Sequence, residues 1–116
     1  KRGLWDANLF ETNELYGVDY GMSKADRLRY GQTMMTHAML FTGVDVVDGK
    51  PRRWRVENSW GDDSGEKGFY TMNDSWYDEH MFEIATARKY LSEKMLDGLE
   101  TEPTVLDACD PMGSLA

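Results

Sequence analysis

The strongest constraint on this chain is a pair of β-rich runs that flank Asp48-Gly49. They are residues 38–47 (AMLFTGVDVV) and 52–57 (RRWRVE). Asp-Gly is a two-residue hairpin signal, because the tight turns that suit twisted strands need positive φ at their central positions. Trp54 and Val56 fall on one face of the second run. A chain that holds such a hairpin has to build an antiparallel sheet and find cover for its apolar face. Residues 68–72 (GFYTM) read as a further strand. So do residues 82–88 (FEIATAR), with Phe82, Ile84 and Thr86 on one side and Glu83, Ala85 and Ala87 on the other.

Helices are expected where caps precede apolar spacing. Ser23 followed by Lys-Ala-Asp predicts a helix over 24–30 that ends near Gly31. Asn73-Asp74-Ser75 predicts a short helix over 76–81. Ser92 opens another over 93–99, with Met95, Leu96 and Leu99 on one stripe, and Pro103 prevents its continuation. Residues 1–22 carry Trp5, Phe10, Tyr16 and Tyr20 among glycines and read as a loop with one short helix over 8–15. Residues 102–116 (EPTVLDACDPMGSLA) have no period and read as an extended arm. The expected architecture is α+β. Residues 1–101 form an antiparallel sheet flanked by short helices, and residues 102–116 form an extended C-terminal arm.

The chain's 116 residues suit one domain. A net charge of −8 repels phosphate backbones, so no nucleic-acid partner is expected. The basic cluster Lys50, Arg52, Arg53 and Arg55 reads as one solvated strand face. No apolar run approaches the roughly 18 residues of a membrane span, and no charged-then-apolar leader marks export. The single Cys109 cannot form an internal disulfide, which fits a reducing compartment and predicts a cytoplasmic location. Asp78, Glu79 and His80 are adjacent on a short helix and point in different directions. They make a poor metal site, and no metal or cofactor is expected.

The stretch Arg55–Tyr70 (RVENSWGDDSGEKGFY) holds more than a turn requires. Two Gly and two Asp suffice to reverse a chain, yet Asn58 and Trp60 are also present. Folding the hairpin about Asp48-Gly49 brings the Asn58 end and the His37 end to one edge of the sheet. His37 lies eleven residues before Asp48 and Asn58 nine after Gly49, a mismatch that a bulge near Gly43 would absorb. A lone His at that place serves structure as readily as catalysis. Beside a carboxamide it gains a specific chemistry. The amide oxygen fixes one tautomer and one ring orientation, and its neutrality leaves the imidazolium free to pair with a thiolate. An indole over that hydrogen bond would keep water from it.

These residues resemble a known family. Asn58-Ser59-Trp60-Gly61, followed by Gly65-Glu66-Lys67-Gly68-Phe69-Tyr70, is similar to the NSWG…GExGY block of papain-like cysteine peptidases. Thr36-His37-Ala38-Met39 is similar to the His block of the same clan. Met35–Met39, Trp54–Gly61 and the terminal Asp110-Pro111-Met112-Gly113-Ser114-Leu115-Ala116 together resemble the bleomycin hydrolase and aminopeptidase C branch, in family order over nearly the whole chain. The resemblance implies that this is the C-terminal half of such an enzyme. It implies His37 as general base and acid, Asn58 as its orienting residue and Trp60 as the shield beside the leaving-group side of the cleft. It further implies a tail in the cleft whose terminal carboxylate, that of Ala116, accepts the α-amino group of a peptide substrate. Homo-oligomers, hexamers in the family, are implied as well.

The nucleophile that the resemblance requires is absent. It is an early Cys, about 130 residues or more before the His, whereas 36 residues precede His37 and none is Cys. The oxyanion Gln is also missing, because Gln32 lacks its context. Cys109 follows the His and reads as a tail thiol, and Ser64 stands where many papain-like relatives carry Trp. The missing N-terminal half is therefore the expected partner, supplying Cys and Gln. The competing expectation is a non-catalytic acidic module that binds partner proteins through its cleft face or its tail.

Overall fold

The computed structural model describes residues 3–115. Asp48 and Gly49 both take positive φ, 50° and 75°, and join strand β2 (Leu40–Val47) to β3 (Lys50–Glu57) in the expected tight turn. β4 (Phe69–Asn73) pairs antiparallel with β3, placing Val56 opposite Tyr70 and Trp54 opposite Met72. A two-residue strand β1 (Leu4–Trp5) adds to the far side of β4 in parallel, so the order is β1-β4-β3-β2 and the sheet is open. The sequence reading placed a loop there, since two residues show no period. β1 is held by non-local contacts. The Thr71 N–H donates to the Gly3 carbonyl at 2.7 Å, and the Trp5 ring stacks on Tyr70 at 4.7 Å. The Asp6 carboxylate then accepts from the Asn8 N–H, the Asn73 amide and the Ser75 hydroxyl. Those donors hold its carboxyl below the usual range.

Ser23 caps α2 (Lys24–Arg29) by accepting from the Asp26 N–H, while its own hydroxyl donates to the Asp26 carboxylate. Ser92 likewise caps α4 (Glu93–Leu99). α3 (Asp74–His80) starts two residues earlier than expected, directly from β4. α1 is confined to Thr12–Tyr16, because the Asn8 N–H turns back onto Asp6 and keeps the preceding residues out of the helix. Lys24 donates to the carbonyls of Asp78 and Met81 at the C-terminal end of α3, where the dipole favours a cation. Arg27 pairs with Glu79 at 2.7 Å and docks α2 on the same helix end.

Two expectations fail here. Residues 82–88 are not a strand: residues 82–87 have no regular structure and Arg88–Tyr90 forms a 3-10 turn. Their alternation meets no facing strand among the described residues, and Ile84 stays 57% exposed. An extended segment without ladder partners is not a strand. The terminal arm is not extended throughout, because Pro111–Leu115 coils into a 3-10 turn that packs against α2. The basic residues of β3 are exposed, as expected, but do not form one bare face. Arg52 pairs with Asp45 at 2.7 Å, and Arg55 lies over the Phe69 ring.

The apolar face of the sheet packs on α3. Trp54 stacks on Tyr77 at 4.9 Å and donates its indole N–H to Asp74 at 2.8 Å. Val56, Tyr70 and Met72 are the buried apolar residues among those described. Each contributes about 1.5–3 kcal/mol by burial, a small core for this length. The accessible surface is 9763 Å², whereas a folded monomer of 13.3 kDa exposes roughly 6,450 Å². The radius of gyration is 16.9 Å against about 13.4 Å for a compact chain of this size. The excess surface, about 3,300 Å² on one chain, is somewhat more than the roughly 1,000–2,500 Å² that each partner buries in an obligate interface. Purified alone, the chain should self-associate with rising concentration in sedimentation velocity. A single monomer peak at all concentrations would contradict this reading of the exposed area.

Candidate functional site

His37 lies just before β2 and Asn58 just after β3, at the edge the hairpin predicts. Their route together differs from the expected one. A bulge does occur beside Gly43, where Thr42 is the extra residue, but a second at Arg52 cancels it. Leu40 opposite Glu57 is therefore in the same register as Val47 opposite Lys50. What brings the pair together is the departure of residues 37–39 from the ladder, which lets the imidazole reach across to the amide.

His37 Nε2 lies 2.8 Å from Asn58 Oδ1. The same oxygen accepts the Ser59 N–H at 2.8 Å. Two contacts to one atom, one of them with a backbone donor, assign it as the carboxamide oxygen. An oxygen can only accept here, so Nε2 carries a hydrogen. Nδ1 is then the nitrogen left to exchange a proton with a thiol or a leaving group. Asn58 is 7% exposed and its N–H donates to the Gly68 carbonyl at 3.0 Å, so the amide is fixed from the backbone outward. Its Nδ2 is buried and has no partner among the described residues. An unmet donor of this kind costs about 1–3 kcal/mol.

Trp60 stacks on His37 with ring centroids 5.0 Å apart and planes 26° from parallel. The indole covers one face of the imidazole and is itself 64% exposed. Three of the four site residues expected from the sequence are thus in one cluster. The fourth, Ala116, lies outside the described residues.

The loop between Asn58 and β4 is pinned by glycines. Gly61, Gly65 and Gly68 have φ of 81°, 64° and 82°. A Cβ on Gly65 would sit 2.4 Å from the Phe69 carbonyl oxygen, so the backbones are in contact. Ser64 is not a plain loop residue: the Tyr70 hydroxyl donates to its Oγ at 2.7 Å. Sequence reasoning missed this pair, because a Ser and a Tyr six residues apart carry no signal until the loop is closed.

Cys109 is free and exposed. His80 is half-buried against the Trp76 ring at 4.1 Å. Its burial, then the nearby Arg27 and Lys24 cations, lower its pKa, with Glu79 opposing. Among the described residues there is no cluster of His, Cys, Asp and Glu able to hold a metal ion. No helix is long and apolar enough to cross a membrane.

The arrangement matches known proteins. Residues 1–113 match the model of the Peptidase C1-like family. Aminopeptidase C of Listeria monocytogenes is 44% identical over 114 residues, which cover 98% of this chain and 26% of that protein. Human bleomycin hydrolase is 48% identical over 120 residues, covering 100% of this chain and 26% of its own. The crystal structure of pepw from Lactobacillus rhamnosis superposes with a TM-score of 0.89 at 45% identity, covering 100% of this chain and 27% of that one. The chain therefore spans about a quarter of the length of these relatives and belongs to the Peptidase C1-like family.

Proposed function

We propose that this chain is the C-terminal portion of a cysteine aminopeptidase, with His37 its acid–base group, Asn58 the residue that orients it and Trp60 its shield. The observation that carries this reading is the 2.8 Å contact between His37 and Asn58 beneath the Trp60 ring. The rest of the enzyme supplies the Cys and an oxyanion donor. Its thiolate attacks the peptide carbonyl while the imidazolium of His37 protonates the departing amine, and the C–N bond breaks to leave a thioester. His37 then takes a proton from water, the hydroxide displaces the sulfur, and the acid is released with the thiol restored. The unmet Asn58 Nδ2 and the exposed apolar surface agree with a chain that is completed by further protein.

In the same reading, residues 1–101 are the His- and Asn-bearing part of the peptidase domain, and residues 102–116 are an arm in the cleft. A carboxylate at the C-terminal end of this arm receives the free amino group of a peptide, a charge-assisted contact worth roughly 1.5–3 kcal/mol. A cytoplasmic location and assembly into homo-oligomers belong to this reading too.

The test is one set of assays with aminoacyl- and peptidyl-coumarins. The 116-residue chain alone should be inert. The full-length enzyme should cleave substrates with a free amino terminus, lose that activity on thiol alkylation, and discriminate about ten- to a hundredfold against N-acetylated substrates. Removing residues 111–116 from the full-length enzyme should erase the discrimination. Thiol-dependent turnover by the isolated chain, or unchanged discrimination without the tail, contradicts the assignment.

A further inference from the structure

We propose that the hydroxyl pair of Tyr70 and Ser64 is a latch that positions Trp60 over His37. The inference rests on the reading of His37 as the acid–base group. It assigns a positioning role to two residues that touch neither substrate nor imidazole.

Trp60 has one ring partner among the described residues, His37, and is 64% exposed. With so much of the indole uncovered, the backbone that carries it matters to its position. That backbone is a short closed loop. The Asn58 N–H donates to the Gly68 carbonyl and the Gly68 N–H to the Ser64 carbonyl, both at 3.0 Å. The Gly61 carbonyl, next in the chain after Trp60, lies 2.9 Å from where a Cβ on Gly68 would stand. A shift at Ser64 thus passes through Gly68 to Gly61 and so to Trp60.

Among the described residues, the Tyr70–Ser64 bond is the side-chain hydrogen bond that ties this loop to the sheet. Its donor is well anchored. Tyr70 is 9% exposed, pairs with Val56 in the ladder and is covered by the Trp5 ring at 4.7 Å. The bond therefore references the exposed indole to the rigid core. A stacked indole confines the imidazole and keeps water from its hydrogen bond to Asn58. Loosening it should let water compete for that bond and leave the ring less well oriented for proton transfer.

The experiment uses the full-length enzyme that carries this segment, with variants Tyr70→Phe, Ser64→Ala, Trp60→Ala and the combinations with Trp60→Ala. Tyr70→Phe should lower kcat about three- to tenfold with KM nearly unchanged. Ser64→Ala should reproduce this effect. It also carries the test if Tyr70→Phe fails to fold, because it alters a loop position. In the Trp60→Ala background both changes should be silent, since the ring they position is gone. Equal losses with and without Trp60, or a lowered Tm with kcat unchanged, would overturn the latch and show a structural role only. His37→Ala separates the two levels of inference. If it is inactive while the latch variants behave normally, the latch fails and the acid–base assignment stands. If it retains turnover, the assignment itself fails.

Discussion

Replacing His37 by alanine in the full-length enzyme should lower kcat by roughly 10⁴-fold or more, with substrate binding largely intact. In the proposed mechanism one ring has three tasks: it would keep the thiol ionised, protonate the leaving amine and activate water. Among the described residues, the hydrogen-bond partner of its Nε2 is the neutral amide of Asn58. The nearest analogue, His80, is engaged with Trp76 and crowded by Arg27 and Lys24 at the far end of α3. Asn58→Ala should cost less, about 10²-fold, because the Trp60 ring still confines the imidazole to one plane. It should also destabilise the loop, since the Ser59 N–H loses its acceptor. Single-turnover acylation rates, measured beside thermal denaturation, separate these effects. An Asn58 variant as inactive as the His37 variant, at unchanged Tm, would show that the amide does more than orient the ring.

The parts of this site legible in the sequence are those encoded by local chemistry. Asp48-Gly49 fixed the hairpin because few dipeptides tolerate two positive φ values in succession. That turn sets which residues meet at the open end, and so places His37 and Asn58 at one edge of the sheet. Ser23 and Ser92 marked their helices because a hydroxyl at an N-cap satisfies a backbone donor that lacks an intrahelical partner.

What could not be read depends on pairing across the chain. β1 is two residues long and exists through Trp5 on Tyr70 and Asp6 on Asn73, contacts more than 60 residues apart. The second bulge at Arg52 shows as no local anomaly, yet it cancels the first and moves the explanation of the His37 contact from register to loop. Residues 82–88 show the converse error. Their alternation satisfies a strand pattern, but pattern alone supplies no ladder. The Met95, Leu96 and Leu99 stripe of α4 was placed on one face, but Met95 and Leu99 remain 60% and 58% exposed. A helix face can be predicted where its partner cannot.

Gly65→Ala should be the most damaging single-methyl change in the chain, and Gly17→Ala provides its control. Both glycines have φ of 64°, so alanine pays a similar left-handed penalty at each, about 1–2 kcal/mol. The surroundings differ. A Cβ at position 17 meets nothing within 4 Å. At position 65 it would lie 2.4 Å from the Phe69 carbonyl oxygen and 3.1 Å from the Tyr70 ring. Neither neighbour can yield cheaply. The Phe69 carbonyl accepts the Glu66 N–H at 2.8 Å, and Tyr70 is held between Trp5 and the core. The loop must therefore open. Opening releases the Tyr70–Ser64 bond and the Gly68 contacts, adding about 1–3 kcal/mol to the strain that both variants share. In the full-length enzyme Gly65→Ala should lower Tm clearly more than Gly17→Ala. It should also increase amide exchange at Glu66, Gly68 and Phe69 and lower kcat by displacing Trp60, whereas Gly17→Ala should leave exchange in that loop and turnover unchanged. Equal effects of the two variants on all three measurements would mean that residues 58–69 do not close as a pinned loop, and that the indole is held over His37 by something other than its own backbone.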